Sequence, residues 1–361
     1  MSAQDIRFMN MALSLGRRGQ GNTWPNPAVG CVLVRDGHVL ARGWTQPGGR
    51  PHAEAHAISQ CSDTAGATAY VTLEPCAHQG RADPCCAALV NAGITRCVVA
   101  MVDPDPRTKG KGIAALQAAG IEVLTDVCAQ SAQEDHKGFV MRLMESRPRL
   151  TLKLATTLDG RIATASGDSQ WITGPKARRQ VHRDRLAHDA IMVGGGTARA
   201  DDPSLTVRGM GQLAQPVRII ASSKLNFRGT ALFSATGPVW CLHGAHADPS
   251  DRDRIASMGA ELIEIPGASH LLEPAAILLV LAGKGLTSIY CEGGGTLAAS
   301  LLQAGLVDDL LIYTAGKFIG AEGQPAIGAL GLGKLIEAQD FTLVDHRAID
   351  GVIRSHWTLT P

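Results

Sequence analysis

Hydrophobic and polar residues follow one another in periodic blocks that predict a regular succession of helices and strands. In the first part of the chain, an amphipathic helix over residues 3–18 precedes two strands, 29–35 and 38–44, which the turn dipeptide Asp36-Gly37 joins. The further elements predicted there are helices at 51–59, 84–92 and 112–119 and strands at 69–73, 97–101 and 122–125. This order predicts a sheet covered by helices.

A short polar segment that contains a proline, Ser146-Arg147-Pro148-Arg149, interrupts this pattern. We therefore predict two domains, 1–146 and 147–361, which suits the length of the chain. The second pattern predicts strands at 150–156, 161–164, 190–193, 217–221, 239–242 and 288–291 and helices at 176–187 and 296–304. Residues 203–211 and 320–333 are expected to form loops. A second α/β domain follows from this alternation.

Composition limits the classes of protein to which the chain can belong. Its 361 residues are 45% hydrophobic and 19% charged, which allows two sizeable cores. The net charge of +1 and the 4% aromatic content argue against a nucleic acid partner. The longest apolar run, 275–282, is far below the roughly 20 residues that span a bilayer. With no secretory signal pattern at the N-terminus, we expect a cytoplasmic protein without a membrane partner.

Cysteine is unevenly distributed along the sequence. Seven of the nine cysteines lie within the first 128 residues. An odd number in so long a chain does not indicate a disulfide scaffold. The distribution favours a reducing compartment and a metal or catalytic site in the first domain.

Two segments of the first domain have the composition of a catalytic zinc site. His52 and Glu54 stand two residues apart at the start of a predicted helix, and Cys76 and Cys85 follow further along the chain. One imidazole and two thiolates can hold zinc and leave a fourth position open for water. Glu54 can move protons between that water and a departing amine. A His-x-Glu motif with a later Pro-Cys motif is the signature of zinc deaminases.

This sequence departs from the short form of the signature, because eight residues instead of two separate the two cysteines. We expect the polar insert to let both cysteines meet at adjacent helix starts, and it adds His78 and Arg81. A structural zinc remains an alternative, with Cys86 or His56 as the fourth ligand. Cys86, however, should point about 100° from its neighbour and pack, and His56 is more typical of a solvated helix position.

Two glycine triplets mark the second domain, at 194–196 and 293–295. Each follows a hydrophobic strand, so its backbone amides can approach a phosphate. Tight turns explain each triplet equally well, but the pair favours a phosphorylated ligand such as a dinucleotide. The basic run over 176–185 is either a solvated face or a phosphate site. The segment Asp201-Asp202-Pro203 is either a site at which carboxylates bind a ligand or an ordinary turn.

Taken together, these motifs resemble the bifunctional deaminase/reductase of riboflavin biosynthesis. The resemblance covers PNPAVGCVLVRDG, PHAEAHA, AYVTLEPCAHQGR and DPCC in the first domain, and LKLATTLDGRIATASGDSQWITG, ADDPSLTVR and EGGGTLAASLLQAGLVDDL in the second. It implies an α/β protein of two domains, an N-terminal cytidine-deaminase-like three-layer α/β/α domain and a C-terminal dihydrofolate-reductase-like α/β domain. It also implies zinc, NADPH and small phosphorylated pyrimidine substrates, and we expect a homo-oligomer. The alternative hypothesis is a nucleoside or tRNA deaminase with an accessory domain.

The resemblance further implies roles for individual positions. Zinc ligands would be His52, Cys76 and Cys85, with Glu54 as the catalytic proton shuttle. Substrate contacts would be Asn26, His78, Arg81, Lys153, Ser169, Arg185, Leu205, Arg208 and Glu292. Cofactor contacts would be Ala155, Trp171, Thr197, Asp201, Ser223, Gly294, Gly295 and Thr296. The chain departs from the family at Thr45, where many members carry histidine, and at Ser222, where aspartate is usual.

Overall fold

In the computed structural model, which describes residues 1–79, 83–211, 213–267 and 270–360, the chain divides into two units, Met1–Glu145 and Ser146–Pro361. Each unit is built around its own sheet, and each alternates helices with strands. Among the described helices, none combines the length and the apolar character that a membrane crossing requires.

The first unit has a five-stranded mixed sheet. Its strands β1 to β5, in chain order, are Gly30–Arg35, His38–Trp44, Thr68–Val71, Arg96–Val99 and Glu122–Leu124. Its helices α1 to α5 are Ala3–Gly16, Ala53–Ile58, Cys85–Asn91, Lys111–Ala118 and Ala129–Met144. The sheet order is β2-β1-β3-β4-β5, antiparallel around β1 and parallel from β3 to β5.

Two glycines show how helices cover both faces of this sheet. Gly43 lies opposite Cys31 in the register of β1 and β2, so Gly30, one residue earlier, points to the other face. A Cβ on Gly30 would lie 1.8 Å from the Ala12 carbonyl oxygen of α1, and one on Gly43 would lie 2.2 Å from the Ala53 oxygen of α2. Helices α1 and α2 therefore pack on opposite faces, which makes the unit three-layered.

The second unit has a nine-stranded mixed sheet and a two-stranded ladder. Its strands β6 to β16 are Arg149–Thr157, Arg161–Ala163, Ala190–Gly194, Val217–Ala221, Val239–His243, Glu261–Glu264, Ser288–Cys291, Asp309–Ala315, Gln324–Pro325, Phe341–Ile349 and Val352–Leu359. Its helices α6 to α10 are Pro175–Leu186, Gly195–Asp201, Pro249–Ser257, Pro274–Gly283 and Gly295–Gln303. The large sheet runs β11-β10-β9-β8-β12-β6-β13-β16-β15, and β7 pairs with β14.

The strand order brings three chain segments together at the carboxyl end of β12, the central strand of the large sheet. Strands β8, β12 and β6 are neighbours and parallel, so β12 ends beside the last residues of β8 and the middle of β6. Glu292 directly follows β12, Lys153 lies on β6, and the turn at Gly194–Gly196 follows β8. Ligands of open α/β sheets bind at such ends.

The helices and strands predicted from sequence are all present, some with the predicted ends and others with shifted ends. Nine elements were not predicted: α5, α7, α8, α9, β11, β13, β14, β15 and β16. The expectation of a loop over 320–333 was wrong at β14, which pairs with β7.

Candidate active sites of the two units

Three metal-binding side chains converge in the first unit. The ligating atoms of His52, Cys76 and Cys85 all lie within 4.8 Å of one another. His52 Nδ1 is 3.3 Å from Cys85 Sγ and 3.8 Å from Cys76 Sγ. These are the three residues that the sequence motif predicts as ligands, and within the described ranges they form the only such cluster found.

Close backbone packing positions His52 and Glu54. His52 is the N-cap of α2, and Glu54 lies in its first turn. The helix rests directly on β2 at Gly43, where a side chain would collide with the Ala53 and Ala57 backbone. This contact fixes the depth of α2 over the sheet, and therefore the positions of His52 and Glu54.

The two cysteines reach the cluster from different kinds of structure. Cys85 is the first residue of α3, as expected, but Cys76 lies in irregular chain that follows β3. The expectation that both cysteines stand at helix starts was therefore wrong for Cys76. Its position is set instead by hydrogen bonds: the Cys86 amide donates to the Cys76 carbonyl at 3.2 Å, and the Cys85 amide donates to Cys76 Sγ at 3.3 Å.

The donor set fits zinc by its own chemistry. A hydrogen bond from the Cys85 thiol, aided by His52, lowers the pKa of Cys76 to about 4, although burial opposes the shift. The same hydrogen bond, together with burial, raises the pKa of Cys85, so Cys76 is the thiolate of the pair and Cys85 the thiol. Cys76 therefore favours the thiolate form that a metal needs. One imidazole and two sulfurs at these distances match a three-ligand zinc site with an open fourth position.

Glu54 is a buried carboxylate beside this cluster, with 3% of its surface exposed. Burial raises the pKa of Glu54 to about 7, and the charge of the nearby Cys76 adds to the rise. A carboxyl group that can gain or lose a proton near neutral pH is suited to acid–base catalysis.

Neither candidate for a fourth protein ligand joins the cluster. Cys86 is 5% exposed and packs in the apolar core of the unit, as predicted. His56 is not simply solvated, because its Nδ1 is 2.9 Å from Gln46 Nε2 and its ring lies edge-on to Trp44. The described residues thus offer three protein ligands, as a catalytic site requires.

Two of the three predicted substrate contacts of the first unit are described. Asn26 donates through Nδ2 to the Gly49 carbonyl at 3.1 Å, and Gly49 has a positive φ of 82° with no room for a Cβ beside that amide. His78 Nδ1 is 3.4 Å from the Thr108 hydroxyl. Arg81 lies outside the described residues. Thr45 is buried and accepts a hydrogen bond from the Val29 amide.

Sequence reasoning assigned no role to Glu74, although it belongs to the quoted Glu-Pro-Cys motif. Its carboxylate accepts hydrogen bonds from four backbone amides that lie 29 to 39 residues further along the chain. Every residue except proline has a backbone amide, so a sequence does not show which amides bind a side chain. The only sequence signal for Glu74 is its position two residues before the predicted ligand Cys76.

The second unit holds a charged cluster at the carboxyl end of β12, beside the middle of β6. Arg185 contacts both carboxylate oxygens of Glu292, Nε to Oε1 at 2.5 Å and Nη2 to Oε2 at 3.1 Å. Lys153 Nζ lies 3.6 Å from Oε2 of the same residue. Burial alone would raise the pKa of Glu292, but Arg185 and Lys153 outweigh it and hold that pKa at about 2. Glu292 is therefore ionised at neutral pH.

A buried network holds the helix that carries Arg185. Asp184, the preceding residue of α6, accepts a hydrogen bond from the Tyr313 hydroxyl of β13. Arg354 of β16 pairs with the same carboxylate at 3.4 Å. Since Asp184 and Arg354 are 7% exposed and Tyr313 is fully buried, this network fixes α6 against the sheet.

A cavity of about 720 Å³ opens beside the two glycine turns. It is lined by most of the predicted cofactor contacts and by one predicted substrate contact: Thr197, Asp201, Ser223, Gly294, Gly295, Thr296 and Ser169. Thr197 Oγ1 accepts a hydrogen bond from the Gly294 amide at 3.1 Å, which joins the two turns. Arg199 and Lys224 also line the cavity, and sequence reasoning did not single them out.

The remaining predicted residues lie apart from this cavity lining. Trp171 is 61% exposed under the Arg178 guanidinium, and Ala155 packs in a separate apolar cluster. The Leu205 side chain is buried in the core, so only its backbone can face a ligand. Arg208 is exposed, and its amide donates to His182 Nδ1 at 3.4 Å.

Known proteins match this chain over both units. The family model of the RibD C-terminal domain matches residues 148–353, and that of the cytidine and deoxycytidylate deaminase zinc-binding region matches residues 2–101. The riboflavin biosynthesis protein RibD of Escherichia coli strain K12 is 40% identical over 360 residues, which cover 96% of this chain and 97% of that protein. The chain belongs to the RibD family.

Solved RibD structures agree with this assignment. RibD of Acinetobacter baumannii superposes with a TM-score of 0.88 at 35% identity, and 99% of each chain is covered. A Thermotoga maritima protein, described as a diaminohydroxyphosphoribosylaminopyrimidine deaminase/5-amino-6-(5-phosphoribosylamino)uracil reductase, gives 0.87 at 31% identity with 99% of each chain covered. The predicted two-domain α/β class is confirmed, and so is the predicted function of a bifunctional RibD deaminase and reductase in riboflavin biosynthesis.

Proposed function

We propose that the domain at 1–146 removes the 2-amino group of 2,5-diamino-6-ribosylaminopyrimidinone 5′-phosphate by zinc-dependent hydrolysis. The domain at 147–361 then reduces the ribosyl group with NADPH, which gives 5-amino-6-ribitylaminouracil 5′-phosphate. The observation that carries the proposal is the buried Glu54 beside the cluster of His52, Cys76 and Cys85, in a chain whose second unit holds a cavity between two glycine turns.

In the first unit, His52 Nδ1, Cys76 Sγ and Cys85 Sγ would hold zinc. Bound zinc makes water acidic enough to supply hydroxide at neutral pH. The Glu54 carboxylate would accept the proton of that water and return it to the departing amino group. Its burial supports this role, because it raises the pKa of Glu54 to about 7, where a carboxyl group can both gain and lose a proton near neutral pH.

Substrate selection in the first unit would fall to Asn26, His78 and Arg81. The hydrogen bond from Asn26 Nδ2 to Gly49 fixes the plane of the amide and turns Oδ1 into the acceptor for a substrate amino group. A guanidinium at position 81 suits the 5′-phosphate of the substrate.

In the second unit, the ionised Glu292 would accept hydrogen bonds from the ribosyl hydroxyls. Lys153 and Arg185 keep the carboxylate charged and fix its orientation. Arg208 at the surface suits the substrate phosphate, and Ser169 and the Leu205 backbone would complete the contacts. This arrangement supports hydride transfer by position, since the cofactor itself supplies the hydride.

The NADPH site would be the 720 Å³ cavity with the six predicted cofactor contacts that line it, extended by Ala155 and Trp171. The N-terminus of α10, at Gly295, offers backbone amides for a phosphate. Arg199 and Lys224 line the same cavity, and Arg199 donates to the neutral Asn226 at 2.8 Å. In the described part of the chain neither cation pairs with a carboxylate, which suits the extra 2′-phosphate of NADPH.

We also propose a cytoplasmic homo-oligomer with small-molecule partners and no nucleic acid partner. All nine cysteines are free thiols, as in a reducing compartment. The balanced charge of +1 gives no general attraction to nucleic acid.

One assay tests both activities. The purified protein is mixed with zinc, the diaminopyrimidine phosphate and NADPH, and ammonia and NADP⁺ are measured separately. We expect ammonia without NADPH, and NADP⁺ only after deamination. Release of ammonia from cytidine but not from the diaminopyrimidine phosphate would contradict the proposal.

A further inference from the structure

Glu74 carries a buried negative charge that the proposed chemistry does not use. It is 3% exposed, and its carboxylate accepts four backbone hydrogen bonds. Oε2 receives the amides of Asp103 at 3.2 Å and Gly110 at 2.9 Å. Oε1 receives those of Gly112 at 2.9 Å and Ile113 at 3.2 Å. A carboxylate is the only side chain that accepts on both oxygens in this way, so the charge is matched to its partners.

These bonds attach the start of α4 to the chain just before a proposed zinc ligand. Gly110 is the N-cap of α4, so the carboxylate satisfies amides that the helix leaves unpaired. The approach is very close, since a Cβ on Gly112 would lie 1.9 Å from the Pro75 carbonyl oxygen. The residue after Pro75 is Cys76.

The segment that Glu74 holds at both ends contains Thr108. Thr108 is 1% exposed, and its backbone lies in tight turns: its amide donates to Asp105 at 2.8 Å, and its carbonyl accepts from Lys111 at 2.7 Å. Its hydroxyl lies 3.4 Å from His78 Nδ1. The position of the His78 ring is thus connected to Glu74 through one loop and one side-chain contact.

We propose that Glu74 is a positioning residue of the deaminase, which sets the His78 imidazole for the substrate by fixing the loop at 103–113. The inference rests on the proposed substrate contact of His78. Glu74 touches neither substrate nor zinc in this scheme, and it acts through Thr108.

The test is a double-mutant cycle with Glu74→Gln and His78→Ala. Glutamine keeps the shape but places an NH2 group against two backbone amides, so the loop should shift. We expect the deaminase KM to rise about tenfold, the scale of one weakened hydrogen bond, while kcat and bound zinc per chain change less than about twofold. Reductase activity of the same sample serves as the control for folding.

In the His78→Ala background, Glu74→Gln should have no further effect on KM. Thr108→Val, which replaces the hydroxyl by a methyl group, should raise KM to a similar extent. It too should have no further effect on KM in the His78→Ala background. This variant tests the inference if Glu74→Gln does not fold. Equal effects of Glu74→Gln in both backgrounds, or loss of zinc with a fall in kcat, would overturn the inference. An unchanged KM in His78→Ala alone would also overturn the inference, because His78 would then not contact the substrate. The proposed deaminase function is judged separately, by whether the unmodified enzyme releases ammonia from the diaminopyrimidine phosphate.

Discussion

Each unit places a glutamate at the centre of its candidate site, buried in the first unit and partly buried in the second, and the two surroundings act on its charge in opposite ways. Glu54 stands beside thiols, and burial raises its pKa to about 7. Glu292 stands between Arg185 and Lys153, and its pKa is held at about 2. The first environment suits a carboxyl group that carries protons, and the second suits one that only accepts hydrogen bonds. The comparison shows that the surroundings of a carboxyl group, and not the residue type, decide its role.

The sites also differ in how the chain assembles them. His52 and Cys85 are 33 positions apart, whereas Arg185 and Glu292 are 107 apart. In the first unit, one short stretch of the chain would supply both the proposed zinc ligands and the proposed base. In the second, distant strand ends meet around a space for a cofactor that brings its own chemistry.

Replacing Glu54 by Gln should separate the two activities most strongly. Deamination should fall about 10²–10⁴-fold, because no side chain remains to move the proton. Bound zinc, measured by metal analysis, and NADPH oxidation on deaminated substrate should both survive. Simultaneous loss of both activities would mean that the two units do not function separately.

Replacing Glu292 by Gln should damage only the reductase. We expect KM for the ribosyl substrate to rise about 10–100-fold, because hydrogen bonds to a charged acceptor are lost. The Kd for NADPH, measured by titration without substrate, should change little. A large loss of NADPH affinity would instead assign Glu292 to the cofactor.

Replacing Lys224 by Gln tests how the second unit selects its cofactor. The Kd for NADPH should rise about tenfold through loss of one charge-assisted contact, and the Kd for NADH should not change. Lys284→Gln is the matched control, because Lys284 pairs with Glu261 and does not line the cavity. Parallel weakening of both cofactors would argue against a 2′-phosphate contact.

Replacing His136 by Gln should have the smallest effect, on stability alone. Burial lowers the pKa of His136 to about 4, below its value of 6.5 in an unfolded chain. Between these values the unfolded state binds more protons, so stability falls as pH decreases from about 6.5 to 4. The slope is at most about 1.4 kcal/mol per pH unit. The free energy of unfolding, measured with denaturant at several pH values in this range, should depend less steeply on pH in the variant than in the unmodified protein. An equal dependence on pH in both proteins would contradict the lowered pKa of His136.

The sequence was most informative where chemistry is local. The residues of the zinc cluster are predictable because few other patterns place His, Glu and two Cys in this order beside helices. Glu74 could not be found in the same way, since its partners are backbone amides of a distant loop. The pairing of Arg185 with Glu292 depends on the order of the parallel strands, which periodicity alone does not reveal.

The unpredicted elements have physical reasons of their own. Helix α5 begins with a polar stretch, AQSAQEDHKG, that gives little apolar periodicity. Strand β15 is exposed along nearly its whole length, and its register with β16 shifts between Leu343 and Asp345. An exposed strand with such an irregularity loses the alternation by which strands are recognised.

The contact between Gly43 and α2 has a consequence for how this protein can vary. Even a methyl group there would lie 2.2 Å from the Ala53 oxygen and 2.5 Å from the Ala57 nitrogen. A saturation mutagenesis screen for deamination should therefore find position 43 about as intolerant as position 54. Natural variation at this point of the deaminase would then be limited by a residue that has no side chain at all.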